Sequence, residues 1–159
     1  MKVSIICVGK IKEAFYRDAI EEYRKRLSRY CNLEIVQVED EPTKEDASDT
    51  VTAMIKVKEG QRILSKIPQQ AFVCTLEIDG KKLDSLKFSD FIEKSAVQGR
   101  GHLVFVIGGS LGLDKAVSDR ADYKLSFSDM TFPHQLMRVI LLEQVYRGFR
   151  ILNKEPYHK

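Results

Sequence analysis

The chain has 159 residues, of which 43% are hydrophobic and 31% charged, and its formal net charge is +3 at pH 7. These values are ordinary for one soluble globular domain, 1–159, that buries a core of its own. No apolar run is long enough to cross a bilayer, and Lys10 and Lys12 interrupt the apolar start, so neither a membrane protein nor a signal peptide is expected.

Cysteine usage predicts reduced thiols rather than a disulfide or metal framework. Cys7, Cys31 and Cys74 are odd in number, isolated and mostly within apolar runs. Such residues are typical of the core of a cytoplasmic protein. Neither CxxC nor HExxH occurs in the sequence, so no zinc site is expected.

Strand and helix patterns alternate along the whole chain. In chain order they predict strand 2–8, helix 13–28, strand 33–38, helix 48–66, strand 71–78, helix 89–98, strand 103–107, helix 114–120, strand 123–127 and helix 134–153. This alternation predicts an α/β fold with a mostly parallel sheet and helices on both faces.

Several local features refine these elements. Asp79 and Gly80 predict a turn that closes the third strand, and Ser89 is a candidate N-cap of the helix that follows. Gly60 lies inside the second helix, where it costs about 1 kcal/mol relative to alanine, so close packing would explain it. The acidic stretch 39–49 is expected to be a mobile surface loop.

Charge is distributed unevenly. Residues 2–30 carry eight Lys and Arg against four acids, and residues 39–49 carry six acids against Lys44 alone. The tail 134–159 holds five Lys and Arg against two Glu. Basic ends suit contact with a phosphate backbone, but solvated helix faces explain the same pattern equally well.

The last helix is apolar on nearly every side of its first turns. The residues responsible are Leu136, Met137, Val139, Ile140, Leu141, Leu142 and Val145. A sheet can cover only one face of such a helix, so we expect the other face to meet a second subunit in a symmetric dimer.

The run 103–112, LVFVIGGSLG, predicts a buried strand that ends in a bare glycine turn at the carboxyl edge of the sheet, where α/β proteins bind ligands. GGSLG also matches the nucleophile elbow of serine hydrolases, with Ser110 as the nucleophile, although that fold needs a longer chain. The spacing fits neither a dinucleotide loop nor a Walker A loop.

Two further stretches complete a candidate site: FSDMTFPH at 127–134 and YH at 157–158. Three longer motifs contain these stretches and the glycine turn: IGGSLGL, SFSDMTFPHQLMR and the terminal PYHK. The three motifs resemble those of the SPOUT methyltransferases, and among them the ribosomal large subunit methyltransferase H family. The resemblance spans the whole length and is most specific from residue 103 onward.

The resemblance implies a C-terminal trefoil knot, a homodimer and S-adenosyl-L-methionine as cofactor, without a metal or a membrane. It implies cofactor contacts from Leu76, Gly108, Phe127, Ser128, Asp129, Met130, Thr131 and Phe132. Bare glycine backbone can hydrogen-bond the cofactor's polar ends, while Leu76, Met130 and Phe132 supply apolar walls.

The implied reaction is methylation of N3 of a pseudouridine, position 1915 of 23S rRNA, in a hairpin loop of the assembled ribosome in the cytoplasm. Candidate catalytic residues are His134, Glu143, Arg147, Tyr157 and His158. In this hypothesis His158 or Tyr157 takes or relays the proton, Arg147 stabilises the anion and Glu143 positions Arg147.

Basic side chains such as Arg17, Arg24, Arg150 and Lys154 would hold the surrounding phosphates. A non-catalytic ribosome-binding or assembly factor with the same fold is the alternative function.

Overall fold

A computed structural model describes residues 1–159, and its elements follow the predicted alternation. The strands are β1 (Lys2–Val8), β2 (Asn32–Val38), β3 (Phe72–Lys82), β4 (His102–Ile107) and β5 (Tyr123–Ser126). The helices are α1 (Ala14–Leu27), α2 (Asp49–Leu64), α3 (Ser85–Gln98), α4 (Lys115–Arg120) and α5 (His134–Leu152). No helix has the length and apolar character that a membrane span requires.

The five strands form one sheet in the order β2-β1-β4-β3-β5, and every neighbouring pair is parallel. This confirms the predicted α/β class. All carboxyl ends therefore lie at one edge of the sheet, which is where open parallel sheets bind ligands. Strand order alone does not determine whether the chain is threaded, so the trefoil knot stays a prediction.

Helices cover both faces of the sheet, as predicted. Val3, Ile5 and Cys7 of β1 face a core of 18 buried residues that includes side chains of α1, α3 and α5. Ile6 and Val8 face a second core of 9 buried residues, which includes side chains of α2 and α4. Burial on both faces explains why β1 and β4 read as nearly continuous apolar runs.

The predicted turn at Asp79 and Gly80 is wrong, because β3 continues through Lys82. Leu76 and Lys81 both pair with Leu125 of β5, so the intervening residues bulge out of the ladder and the strand resumes. A Cβ atom at Gly80 would lie 2.7 Å from the Lys124 carbonyl carbon. Glycine is therefore needed for close approach to β5.

The predicted N-cap of the third helix is also wrong. Asp84 caps α3, since its side chain accepts a hydrogen bond from the Lys87 amide at 2.7 Å. Ser89 lies one turn inside the helix and is only 1% exposed. Its hydroxyl donates to the Leu86 carbonyl at 2.7 Å, which satisfies it without a capping role.

All three cysteines are free thiols, as predicted, and Cys7 and Cys74 are buried. Burial raises the pKa of the Cys7 and Cys31 thiols to about 11. Both are therefore protonated and unreactive at neutral pH.

The acidic loop 39–49 is fastened to α2 at its start. The Arg62 guanidinium donates to the Glu39 carbonyl at 2.9 Å and forms an ion pair with Glu41. The Glu41 amide donates to Glu59 Oε2 at 3.0 Å. The first residues of the loop are thus anchored, and mobility of the remainder stays a prediction.

Close packing explains Gly60, as the sequence suggested. A Cβ atom there would lie 2.9 Å from Asp114 Cβ and 3.3 Å from Val117 Cγ2. We expect Gly60→Val to lower the free energy of unfolding by about 1–3 kcal/mol through overpacking. Ala53→Val, at an exposed position of α2, is the matched control and should cost a few tenths of a kcal/mol. Equal urea midpoints for the two variants would contradict the packing argument.

Candidate functional site

A cavity of about 700 Å³ opens at the carboxyl ends of β4, β3 and β5. Three segments form its walls: 76–78 in β3, 107–113 after β4, and 125–134 apart from residue 129. Met137 of α5 completes the lining. This volume lies in the range of pockets that enclose a cofactor-sized ligand.

The glycine turn after β4 presents bare backbone to this cavity. Gly112 has a φ of +82°, in the left-handed region that favours glycine. A Cβ atom at Gly108 would lie 3.0 Å from the Gly112 carbonyl carbon. The turn is closed by a hydrogen bond from the Gly112 amide to the Gly109 carbonyl at 3.1 Å. Glycine is therefore needed for the shape of the turn.

Most of the residues expected to hold a cofactor line this one cavity. They are Leu76, Gly108, Phe127, Ser128, Met130, Thr131 and Phe132. Asp129 is the exception, because its carboxylate pairs with Lys82 Nζ at 2.6 Å and its side chain is 81% exposed. The structure thus places Asp129 on the outer side of the loop.

Glu77 is a cavity residue that sequence reasoning missed. Its carboxylate accepts hydrogen bonds from Thr75 Oγ1 at 2.6 Å and from Ser118 Oγ at 2.9 Å. These two hydroxyls fix an anionic group in the cavity wall. The sequence signal that could have identified Glu77 is an acidic residue within the apolar run of β3.

His134 also lines the cavity. It is the first residue of α5, and Pro133 precedes it as the N-cap residue, so His134 does not cap the helix. Its Nδ1 is buried without a hydrogen-bond partner. Burial, together with the charge of Arg138, lowers the pKa of His134. A neutral imidazole with a free polar atom therefore stands in the cavity wall.

Stability is expected to fall as the pH drops below about 6.5, the usual histidine value. Burial lowers the pKa of both His102 and His134 in the folded protein. The unfolded chain then binds more protons, so acid favours unfolding until the folded-state pKa values are passed. Urea denaturation between about pH 7.5 and pH 5 measures this loss. His134→Asn should remove the part of this acid-induced loss of stability that His134 causes. A variant with the same pH dependence as wild type would contradict the role of His134.

The other four candidate catalytic residues form a separate cluster around Glu143. Tyr157 and Tyr23 each donate a hydroxyl hydrogen bond to Glu143 Oε2 at 2.8 Å. Arg147 binds Glu143 Oε1 through NH2 at 2.7 Å and Nε at 2.9 Å. The Arg147 NH1 group lies 3.3 Å from His158 Nδ1. Glu143 therefore positions both Arg147 and Tyr157.

This geometry separates the roles of Tyr157 and His158. Burial and the Glu143 carboxylate raise the pKa of Tyr157, so its phenol stays protonated and acts as a donor. Arginine can only donate, so its contact makes Nδ1 of His158 the acceptor in the neutral imidazole. His158 is therefore the better proton acceptor of the two.

The tail that carries these residues is held against α1 and α5. Tyr30 donates to Glu155 Oε2 at 2.8 Å, and Arg150 forms an ion pair with the same carboxylate. Arg150 NH2 donates to the Pro156 carbonyl at 2.9 Å. These contacts fix the path of the chain just before Tyr157.

Within one chain the cavity and the Glu143 cluster are neighbours but do not merge. His158 lines a second pocket of about 560 Å³, which shares Leu125, Ser126 and Phe127 with the cavity. The remaining cluster residues line neither space. The structure thus brings His134 together with the expected cofactor residues, and it groups the other four elsewhere.

Ser110 lacks the partner that a serine hydrolase requires. It is exposed on the glycine turn and is hydrogen-bonded to none of the three histidines, although His134 lines the same cavity. His102 Nε2 contacts Ser4 Oγ at 2.7 Å, His158 contacts Arg147, and His134 Nδ1 has no hydrogen-bond partner. The geometry therefore gives no support to the hydrolase alternative.

A family model described as "Predicted SPOUT methyltransferase" matches residues 1–158. The chain belongs to the SPOUT methyltransferase family. Relatives named ribosomal RNA large subunit methyltransferase H are 58% identical in Clostridium botulinum and 57% in both Clostridium beijerinckii and Bifidobacterium animalis. Each of these alignments covers 100% of both chains.

The SPOUT assignment agrees with a solved structure. A probable methylase family protein from Haemophilus influenzae superposes with a TM-score of 0.56 and 9% identity, covering 99% of this chain and 70% of that one. At this identity the likeness concerns the fold alone. The family expectation of S-adenosyl-L-methionine as methyl donor fits a cavity with apolar walls and bare glycine backbone.

Proposed function

We propose that this SPOUT protein transfers the methyl group of S-adenosyl-L-methionine to N3 of a pseudouridine in a hairpin loop of 23S rRNA. The observation that carries the proposal is the single cavity that unites seven of the eight residues expected at the donor. Relatives at up to 58% identity are named for large-subunit ribosomal RNA. The substrate would be the assembled ribosome, which places the reaction in the cytoplasm.

The cavity suits the methyl donor on chemical grounds. Leu76, Met130 and Phe132 offer apolar surface, while the turn at Gly108 offers backbone groups for the adenine edge and the amino-acid end. His134 adds an unpaired buried nitrogen that a polar ligand would satisfy. When bound, S-adenosyl-L-methionine supplies the electrophilic methyl group, and the protein binds, orients and moves the proton.

In the proposed reaction His158 accepts the N3 proton. Its Nδ1 faces Arg147 in the free protein, so His158 must leave that contact as the RNA enters. Arg147 is then free to stabilise the negative charge that develops on the base. Glu143 holds Arg147 in place, and Tyr157 donates a hydrogen bond. An unpaired loop base is accessible to such edge contacts.

A homodimer would unite the two halves of the site. In one chain the Glu143 cluster stands outside the donor cavity. The rim carries exposed apolar side chains, among them Ile78 at 51% and Met130 at 74%. On α5, Leu136 and Val139 are also only partly buried. A second copy covering this surface would bring its tail toward the cavity.

Two measurements test the proposal. Calorimetric titration with S-adenosyl-L-methionine should show one site per chain, whereas a non-catalytic ribosome-binding or assembly factor should give no heat. Ribosomes from a strain lacking the gene should gain one methyl group at the pseudouridine when incubated with protein and donor, as detected by mass mapping of 23S rRNA. Donor binding without methylation of those ribosomes would refute the substrate.

A further inference from the structure

A third pocket, lined mainly by basic residues, lies at the same edge of the sheet, beyond the end of β1. It has a volume of about 370 Å³ and is formed by α1, β2, the loop before α1 and one residue of α5. Its charged lining consists of Lys10, Arg17, Arg24, Arg138 and Glu21. Only Arg24 pairs with the single acid, at 3.1 Å, which leaves three cations without a carboxylate partner.

Arg138 is the unusual member of this pocket, because its side chain is only 1% exposed. Its NH2 group donates to the Val8 carbonyl at 2.7 Å and to the Gly9 carbonyl at 3.0 Å. Its Nε and NH1 are buried without any hydrogen-bond partner. A buried guanidinium with free donors and no counter-ion is costly unless an anion completes it.

The position of Arg138 connects this pocket to the donor cavity. Arg138 follows His134 by one helical turn on α5, so the two residues lie on the same face, about 5–6 Å apart along the helix. His134 lines the cavity and Arg138 lines the basic pocket. An anion held in the pocket would therefore lie beside a substrate base that enters the cavity.

We infer that this pocket binds a backbone phosphate of the RNA next to the methylated nucleotide; the inference rests on the proposed function. Phosphate oxygens accept several hydrogen bonds at once, which suits two free guanidinium donors. Lys10 and Arg17 add charge at the open side. The mainly cationic lining suits a phosphate rather than a base, so the contact sets the register of the strand without reading its sequence.

Lys10→Gln tests the inference without touching the core, because Lys10 is exposed and makes no ion pair. We expect about fivefold to tenfold weaker binding to ribosomes, and a salt slope of log affinity shallower by about one. Lys66→Gln is the matched control, since it makes the same charge change beyond the end of α2, at the opposite edge of the sheet. It should change neither quantity. Equal affinities and slopes for Lys10→Gln and wild type would overturn the inference.

A second probe separates this result from failure of the proposed function. Polyuridylate offers the same phosphodiester backbone without the substrate nucleotide, so Lys10→Gln should lower the salt slope there too. If methylation fails on wild-type ribosomes while this effect persists, the proposed substrate is wrong and the phosphate site stands. If the slopes on polyuridylate are equal, the phosphate site is wrong whatever the substrate.

Arg138→Lys provides the buried counterpart. It retains the charge but loses the bidentate guanidinium geometry that binds the Val8 and Gly9 carbonyls. We therefore expect a lower melting temperature in buffer, and weaker RNA binding than wild type at temperatures where the variant is folded. Inorganic phosphate serves as the third probe. If it raises the melting temperature in a Lys10-dependent manner while polyuridylate binding is unaffected by Lys10→Gln, the pocket holds free phosphate and the RNA assignment is overturned. Identical RNA binding by Arg138→Lys and wild type would also contradict the RNA assignment. Buried water would then be the partner of the Arg138 Nε and NH1 groups.

Discussion

His158→Ala is expected to lower the methyl-transfer rate by about 10²–10⁴-fold, the usual contribution of a general base, while the dissociation constant for S-adenosyl-L-methionine stays unchanged. The reason is geometric. His158 lies outside the cavity of its own chain, but its Nδ1 is the one imidazole acceptor beside Arg147 and Glu143. Single-turnover methylation of unmodified ribosomes measures the chemical step, and calorimetry measures donor binding in parallel.

Two companion variants sharpen the His158 test. Tyr157→Phe removes the hydroxyl that donates to Glu143 but keeps a ring against Arg147, whose guanidinium carbon lies 4.7 Å from the ring centroid. It should therefore lose less activity than His158→Ala. Lys159→Ala, at the neighbouring exposed position, should change neither the methyl-transfer rate nor donor binding. If His158→Ala retained a rate within about threefold of wild type, another group would have to take the proton.

Leu136→Glu is expected to convert a dimer into a folded monomer that has lost methyl transfer. Leu136 lies on the side of α5 that its own chain leaves partly uncovered. A charge there would be desolvated on association, at a cost of several kcal/mol. Analytical ultracentrifugation measures the oligomeric state, and the same ribosome assay measures activity.

The control for the dimer prediction is Val97→Glu on α3, where the native side chain is 76% exposed and is not part of the cavity lining. It should leave both mass and activity unchanged. Mixing His158→Ala with Gly108→Val should restore roughly a quarter of the wild-type rate. Half of the dimers are then mixed, and each mixed dimer pairs the intact cavity of one subunit with the intact tail of the other in one of its two sites. A fully active Leu136→Glu monomer would contradict a site shared between subunits.

Sequence patterns predicted the elements well because each depends on neighbouring residues. The order of the strands depends instead on pairings between distant segments, such as Lys2 with His102. The misplaced turn at Gly80 has the same origin, since the glycine serves the close passage of β5 rather than a local reversal. Local signals identify strands and helices; they do not say which strands become neighbours.

At the site, glycines and loops after strands were predictable because parallel topology collects them at one edge. The direction of a loop side chain was not predictable from the sequence. Asp129 illustrates this, because its ion pair with Lys82 turns its carboxylate away from the cavity. The sequence indicates Arg138 only as one of the five cations in the tail 134–159. Its burial depends on α5 packing over the end of β1, which no local pattern contains.

The central position of β4 has a consequence for how the chain folds. β3 pairs only with β4 and β5, so β1 and β2 have no ladder to β3 until residues 102–107 join them. A search over about a hundred intervening residues makes this step entropically slow. We therefore expect refolding in milliseconds to seconds rather than microseconds. During translation, the full sheet should form only after β4 has left the translating ribosome.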